Sequence, residues 1–199
     1  IFVRDWSYNY GNPKCVLYRG DANCNHASPM VFLYPRTNTL MVRFSTEADR
    51  NKSINPFKCD QHNLYDPMHS CDVTNIPIQR WVQVSIVLWN TTTDVYINGK
   101  LARSCTHPSI PLIMSDANIY TAQGGGFNGY ISKLQYFNYA IDAMMSYKLY
   151  LKGPIPKRML GLKIKGVCGS NDDDDEIPES NTIPDPESFT YSNNNGTCS

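Results

Sequence analysis

The chain has 199 residues, 41% of them hydrophobic, and its 18 Lys and Arg balance 18 Asp and Glu; that length suits one β-rich domain of ordinary size plus an appendage, with no need for a second core. No stretch of about 18 apolar residues occurs, which excludes a membrane-spanning helix. The 13 tyrosines and 13 prolines, with few Ala/Leu/Glu runs, favour strands and loops over helices.

In chain order, residues 1–6 read as the tail end of a strand. They lack a methionine, a charged n-region or an apolar h-region, as in a processed or trimmed product. Short strands are predicted at 14–18, 30–34 and 39–44. The clearest strand is 81–89, where Val82, Val84, Ile86 and Leu88 share one face at period two. Strands at 94–97 and 100–105 flank Asn98-Gly99, whose residues tolerate the positive φ of a type I′ turn. That loop sets Val95 against Ala102, Tyr96 against Leu101, and Asp94 against Arg103, the last an opposite-charge pair. Further strands are predicted at 119–122 and 129–137. In the latter the apolar parity changes between Ile131 and Leu134, so a bulge is predicted near Ser132 and Lys133. Asp142 is the expected N-cap of a helix over 143–152, stopped by Gly153 and Pro154. Leu160, Leu162 and Ile164 alternate with Gly161, Lys163 and Lys165, the pattern of a late strand or extended arm.

The balanced charge conceals two opposite halves. All 18 basic residues precede Cys168, against 10 acids there, so that part carries +8; the other 8 acids follow it without a base. The predicted organisation is a body over 1–153, a basic arm over 154–168 and an acidic, Pro/Asn-rich tail over 169–199. The tail contains too little apolar surface to fold alone. It is expected either to be solvated or to lie extended on a basic surface of its own body or of a neighbouring subunit.

Chemistry-bearing motifs are sparse. The body holds one glutamate, Glu47, beside Asp49, whereas glycoside hydrolysis needs a facing pair of carboxylates. No G-x-S-x-G elbow occurs, so no catalytic residue is assigned. Cys59, His62, His69 and Cys71 offer two sulfurs and two nitrogens to zinc, at an unfamiliar spacing that solvent-exposed histidines explain equally well. Gly124-Gly-Gly126 lacks the Lys-Ser/Thr of a phosphate loop and reads as a turn. The basic residues are dispersed, which sets nucleic acid aside as a partner. Tyr8, Tyr10, Tyr18, Tyr34 and Tyr65 suit protein interfaces and half-buried faces, or sugar stacking. Sequons begin at Asn51, Asn90 and Asn195, a pattern that also arises by chance.

A resemblance rests on an ordered set of motifs: Trp81, DVYINGKL, a Pro-rich loop, Asn118-Ile-Tyr120, GGFNGYISKLQYFNYAI, and a short helix ending at Gly153. Together they resemble the laminin-G and pentraxin-like branch of the concanavalin A-like jelly rolls. DWSYNYGNPKCVLYRGDAN near the start, with Cys71 before Trp81 and Cys105 after the hairpin, is similar to the version encoded by large DNA viruses of algae and protists. The resemblance covers about residues 1–152. It implies an all-β, two-sheet antiparallel jelly roll, and a virion protein such as a minor capsid or spike component with other virion proteins as partners. It also implies a bridge between Cys71 and Cys105. Cys15 with Cys24, and Cys168 with Cys198, are further candidate pairs; Cys59 is then left over, either buried and inert or paired with another subunit. Seven cysteines suit an oxidising compartment or a virus with its own thiol oxidation. Domains of this kind often hold calcium at the sandwich rim, for which Asp21, Asn23 and Asp116 are candidates that turn chemistry explains equally well; no other cofactor is expected. The alternative function is a lectin-like module for host glycans, using Asp21, Asn23, His26 and Phe127 on the rim loops.

Overall fold

Ten strands and one α-helix form among the residues that the computed structural model describes, 1–20, 26–51, 70–114 and 117–154. All of these belong to one compact unit within Ile1–Pro156. A second unit, Lys157–Thr197, lies outside the described residues, and with it most of the predicted arm and tail. In chain order the elements are β1 (Phe2–Asp5), β2 (Lys14–Gly20), β3 (Ala27–Leu33), β4 (Thr39–Arg43), β5 (Val73–Thr74), β6 (Val84–Trp89), β7 (Thr92–Ile97), β8 (Lys100–Thr106), β9 (Asn118–Thr121), β10 (Asn128–Tyr130) and α1 (Ala143–Leu151). Every ladder is antiparallel. The strands form a five-stranded sheet in the order β5-β4-β3-β2-β9, a three-stranded sheet β6-β7-β8, and the pair β1-β10. The protein is all-β with a single short α-helix, and no helix among the described residues is long and apolar enough to cross a membrane.

Alternation along β3 and β4 explains the core. Val31, Leu33, Leu40 and Val42 point into the main apolar cluster with Val3 of β1 and Val95 of β7, so all three sheets contribute to it. Phe32 and Met41 point the other way and join Cys15, Tyr18, Ala27 and Met30 in a second cluster. Both faces of the five-stranded sheet are therefore apolar and buried, as a central sheet layer requires. Phe2, Trp81 and Tyr130 meet at ring separations of 5.7 to 6.5 Å and tie β1 and β10 to the segment entering β6. Gly129 is required there, since a Cβ at that position would stand 1.9 Å from the Phe2 carbonyl oxygen.

The hairpin turn forms as predicted, with Asn98 at φ 51° and Gly99 at φ 72°, and Tyr96 faces Leu101. Beyond that pair the register corrects the expectation. The ladder shifts between Val95 and Tyr96, so Val95 faces Arg103, Asp94 faces Ser104 and Thr93 faces Cys105. Ala102 becomes the extra residue of a bulge. The expected Asp94–Arg103 pair is not formed; the Arg103 guanidinium donates instead to the Asp72 carbonyl at 2.9 Å. The shift has a structural reason, because residues opposite one another share a face and a one-residue slip exchanges the faces. It sets Cys105 beside the fully buried Thr93, where its sulfur bonds Cys71.

The helix also forms as expected. The Asp142 carboxylate accepts from the Met145 N–H at 2.7 Å, and Gly153 takes φ 65° just past the end. Ser146 faces the three-stranded sheet and contacts Ser85 at 3.1 Å. The strand predicted over 129–137 is corrected: β10 ends at Tyr130, and residues 131–142 form neither strand nor helix. At the predicted bulge Lys133 takes φ 50°, and its ammonium donates to the carbonyls of Lys152 at 3.2 Å and Gly153 at 2.8 Å. Ser132 donates to the Pro154 carbonyl. These bonds draw the chain to the end of α1 rather than onward along a sheet.

Candidate functional site

The strand β6 borders a groove on the side away from β7. It pairs with β7 from Val84–Ile97 to Trp89–Thr92, and on the other side the backbone of Ile1, the first residue of the sequence, pairs with Val82 at its entry. The groove, of about 1110 Å³, is lined by the whole of β6, by Leu17 and Ile119 of the five-stranded sheet, and by residues 131–141 with the end of α1. Ser85 and Val87 are buried on one face of β6, while Val84, Ile86 and Leu88 are half-buried against the main cluster on the other. Across from them Leu134 is 57% exposed and Tyr136 72% exposed. Among the described residues no Asp, Glu, His or Cys lines the groove. Two of its cations are engaged with backbone: the Arg19 guanidinium donates to the Met114 carbonyl at 2.6 Å and the Ser28 carbonyl at 3.4 Å, and Lys133 donates to the carbonyls of Lys152 and Gly153. Such a surface can offer apolar contact.

The residues singled out in the sequence are dispersed. Cys71 and Cys105 form the expected disulfide, with Cα atoms 5.7 Å apart; Cys71 is thereby removed from the zinc set, whose Cys59, His62 and His69 lie outside the described residues. Cys15 corrects the expected pair with Cys24: it is a free, buried thiol in the second apolar cluster. Cys24, Cys168, Cys198, Asp21, Asn23, Asp116, Tyr65 and Asn195 are outside the described residues. His26 is half-buried, its Nε2 within 3.0 Å of the Arg50 carbonyl oxygen and 3.3 Å of that of Asp49. Phe127 packs against the main cluster. Asn51 and Asn90 are both exposed. Among the described residues no group of three or more His, Cys, Asp and Glu side chains is placed to hold a metal.

Glu47 and Asp49 do not behave alike. Glu47 pairs with Arg50 at 2.7 Å on the surface, whereas Asp49 is buried and accepts from the Thr46 N–H at 3.0 Å and hydroxyl at 2.7 Å. Asp49 closes a capping box on a short turn. Lys14 gives no signal in the sequence and is nonetheless 1% exposed. Its ammonium donates to the Pro35 carbonyl at 3.1 Å and lies 5.3 Å from the centre of the Trp6 ring. Burial lowers its pKa.

Burial pushes the Cys15 thiol from 9.0 up to about 12, against the pull of the N–H groups of Gln123 and Ala122. Below pH 9 the thiol is protonated in both folded and unfolded chains. Between 9 and about 12 only the unfolded chain loses the proton, so stability falls by about 1.4 kcal/mol per pH unit over that window. Urea unfolding from roughly pH 8 to roughly pH 11 is expected to show that decline, and Cys15→Ala to flatten it. An unchanged slope in the variant would remove Cys15 as its source.

No protein-family model matches the chain, and no curated protein matches it. Among solved structures it is similar to an S-layer domain-containing protein (residues 221–444) from Clostridium thermocellum, at 12% identity over 75% of this chain and 67% of that one, with a TM-score of 0.28. A likeness of that size carries no argument about fold or function.

Proposed function

We propose that the chain is a non-enzymatic structural component of a large DNA virus particle, a minor capsid or surface protein built on a two-sheet jelly roll. The observation that carries the reading is the apolar groove along β6. Its occupant is an extended segment of a neighbouring virion protein with apolar side chains at alternate positions. Side chains of that segment fill the space between Ile86, Leu88, Leu134 and Tyr136. The groove's lack of carboxylates, histidines and thiols among the described residues supports binding over catalysis. The ordered motifs resembling the viral laminin-G-like domains supply the particle as the setting.

The test is incorporation. Leu134→Glu with Tyr136→Glu replaces two exposed side chains, so the folded chain is expected to keep its thermal midpoint. Its recovery in purified particles is expected to fall by at least about tenfold, the effect of losing roughly 1.4 kcal/mol or more of contact. Full incorporation of the double variant would overturn the reading. The lectin alternative draws on a separate observation at the rim, where exposed Tyr8 and Tyr10 flank Asn9, whose amide donates to the Gly124 carbonyl at 3.4 Å. Glycan binding lost on Tyr10→Ala, with incorporation of the groove variant intact, would favour it.

A further inference from the structure

The geometry points to Asn90 as the attachment site of an N-linked glycan. Asn90-Thr91-Thr92 places a hydroxyl two residues after an asparagine amide, the acceptor pattern of oligosaccharide transfer. Of the three sequons in the chain, this is the one whose residues are all described. Trp89 faces Thr92 across the ladder, so Asn90 and Thr91 are the whole of the loop between β6 and β7. Asn90 is exposed and sits in the left-handed region at φ 52°, which asparagine tolerates. The backbone beneath is anchored: the His107 N–H donates to the Thr91 carbonyl at 2.7 Å, and His107 Nε2 lies 2.7 Å from the buried Thr93 hydroxyl. The hairpin tip is thus held in place while the carrier side chain stands in water.

Two further observations favour a glycan over a bare turn. Glycans are added to the chain as it enters an oxidising lumen, and the Cys71–Cys105 bridge suits that compartment. Trp89, the residue before the acceptor, is 72% exposed at the end of an edge strand. A sugar on Asn90 lies beside that ring and covers apolar surface that would otherwise be a contact liability. The transfer needs a lipid-pyrophosphate-linked oligosaccharide as donor. The Asn90 amide nitrogen bonds the anomeric carbon and loses one proton, while the carbon–oxygen bond to pyrophosphate breaks and the lipid pyrophosphate leaves with its electron pair.

The experiment is peptide mass mapping of the full chain secreted from eukaryotic cells, before and after peptide N-glycanase in heavy-oxygen water. Most copies of the Asn90 peptide are expected as glycopeptide, converted by the enzyme to a heavy-oxygen-labelled Asp. Thr92→Ser keeps the glycan. Thr92→Ala retains Asn90 and its turn but loses the glycan, and its tryptophan fluorescence becomes more open to quenching by acrylamide. A wild-type Asn90 peptide recovered without sugar, or a glycan on Asn90 that persists in Thr92→Ala, overturns the assignment.

Discussion

Replacing both Cys71 and Cys105 by alanine is expected to lower the unfolding free energy by about 3 to 4 kcal/mol, the chain-entropy value for opening a loop of this length. The bridge spans a sequence separation of 34 and joins the segment leading into β5 to the outgoing strand of the β7–β8 hairpin. It crosses between two sheets that share the main apolar cluster, so opening it frees both the loop and the relative register of its ends. Cys71 is fully buried, with its sulfur 3.5 Å from the Thr93 carbonyl oxygen; alanine there also leaves a small void, which adds to the loss. The measurement is urea unfolding of the wild type with and without reductant beside the double variant. Reduced wild type and variant are expected to coincide to within the void term, both well below the oxidised protein. A loss under about 1 kcal/mol would mean that packing between the sheets, and not the cross-link, holds these ends together.

The bridge shows what a sequence conveys and what it leaves out. Asn98-Gly99 and the Asp142 to Gly153 helix were legible because turns and caps are local: the residues that need positive φ or an orphan N–H carry the answer themselves. The bulge at Ala102 was not, since its cause is Cys71, some thirty residues upstream, pulling Cys105 to the buried face. The same holds for residues 131–137. Their alternation suits a strand, but Lys133 is captured by carbonyls at the end of a helix that follows it. The groove is therefore a product of tertiary structure. Period-two patterning in β6 revealed which side chains would share a face, while the residues that wall the groove opposite them are brought there by those distant bonds. Lys14 is the opposite case, a charge that patterning assigns to water and that carbonyls of the β3–β4 turn hold in the interior. Asp49 is a related case, a carboxylate held in the interior by the backbone N–H and hydroxyl of Thr46.

Asp72→Ala is expected to cost about 3 to 5 kcal/mol, the range for removing one member of a buried ion pair. Asp72 follows the bridged Cys71 and sits between the sheets' charged side chains. The Arg43 guanidinium approaches its carboxylate at 3.3 Å, with side chains only 8% and 13% exposed. The Tyr34 hydroxyl donates to the same oxygen, and Arg43 donates in turn to the Tyr34 hydroxyl at 3.2 Å. Three polar groups on β4, at the end of β3 and before β5 thus satisfy one another where water is scarce. Without the carboxylate, Arg43 keeps its charge and loses the ion pair with Asp72, and the half-buried Tyr34 hydroxyl loses its acceptor there. The double variant Arg43→Met, Asp72→Leu removes charge and counter-charge together. It is expected to be more stable than Asp72→Ala, because well-packed apolar groups replace an ion pair at little net loss. Denaturant midpoints of the wild type, of Asp72→Ala, of the single variants Arg43→Met and Asp72→Leu, and of the double variant decide the matter. If the single variants cost under about 1 kcal/mol each, or if the double variant is worse than their sum, the pair is solvated in solution and the interior between β4 and β5 is not closed to water.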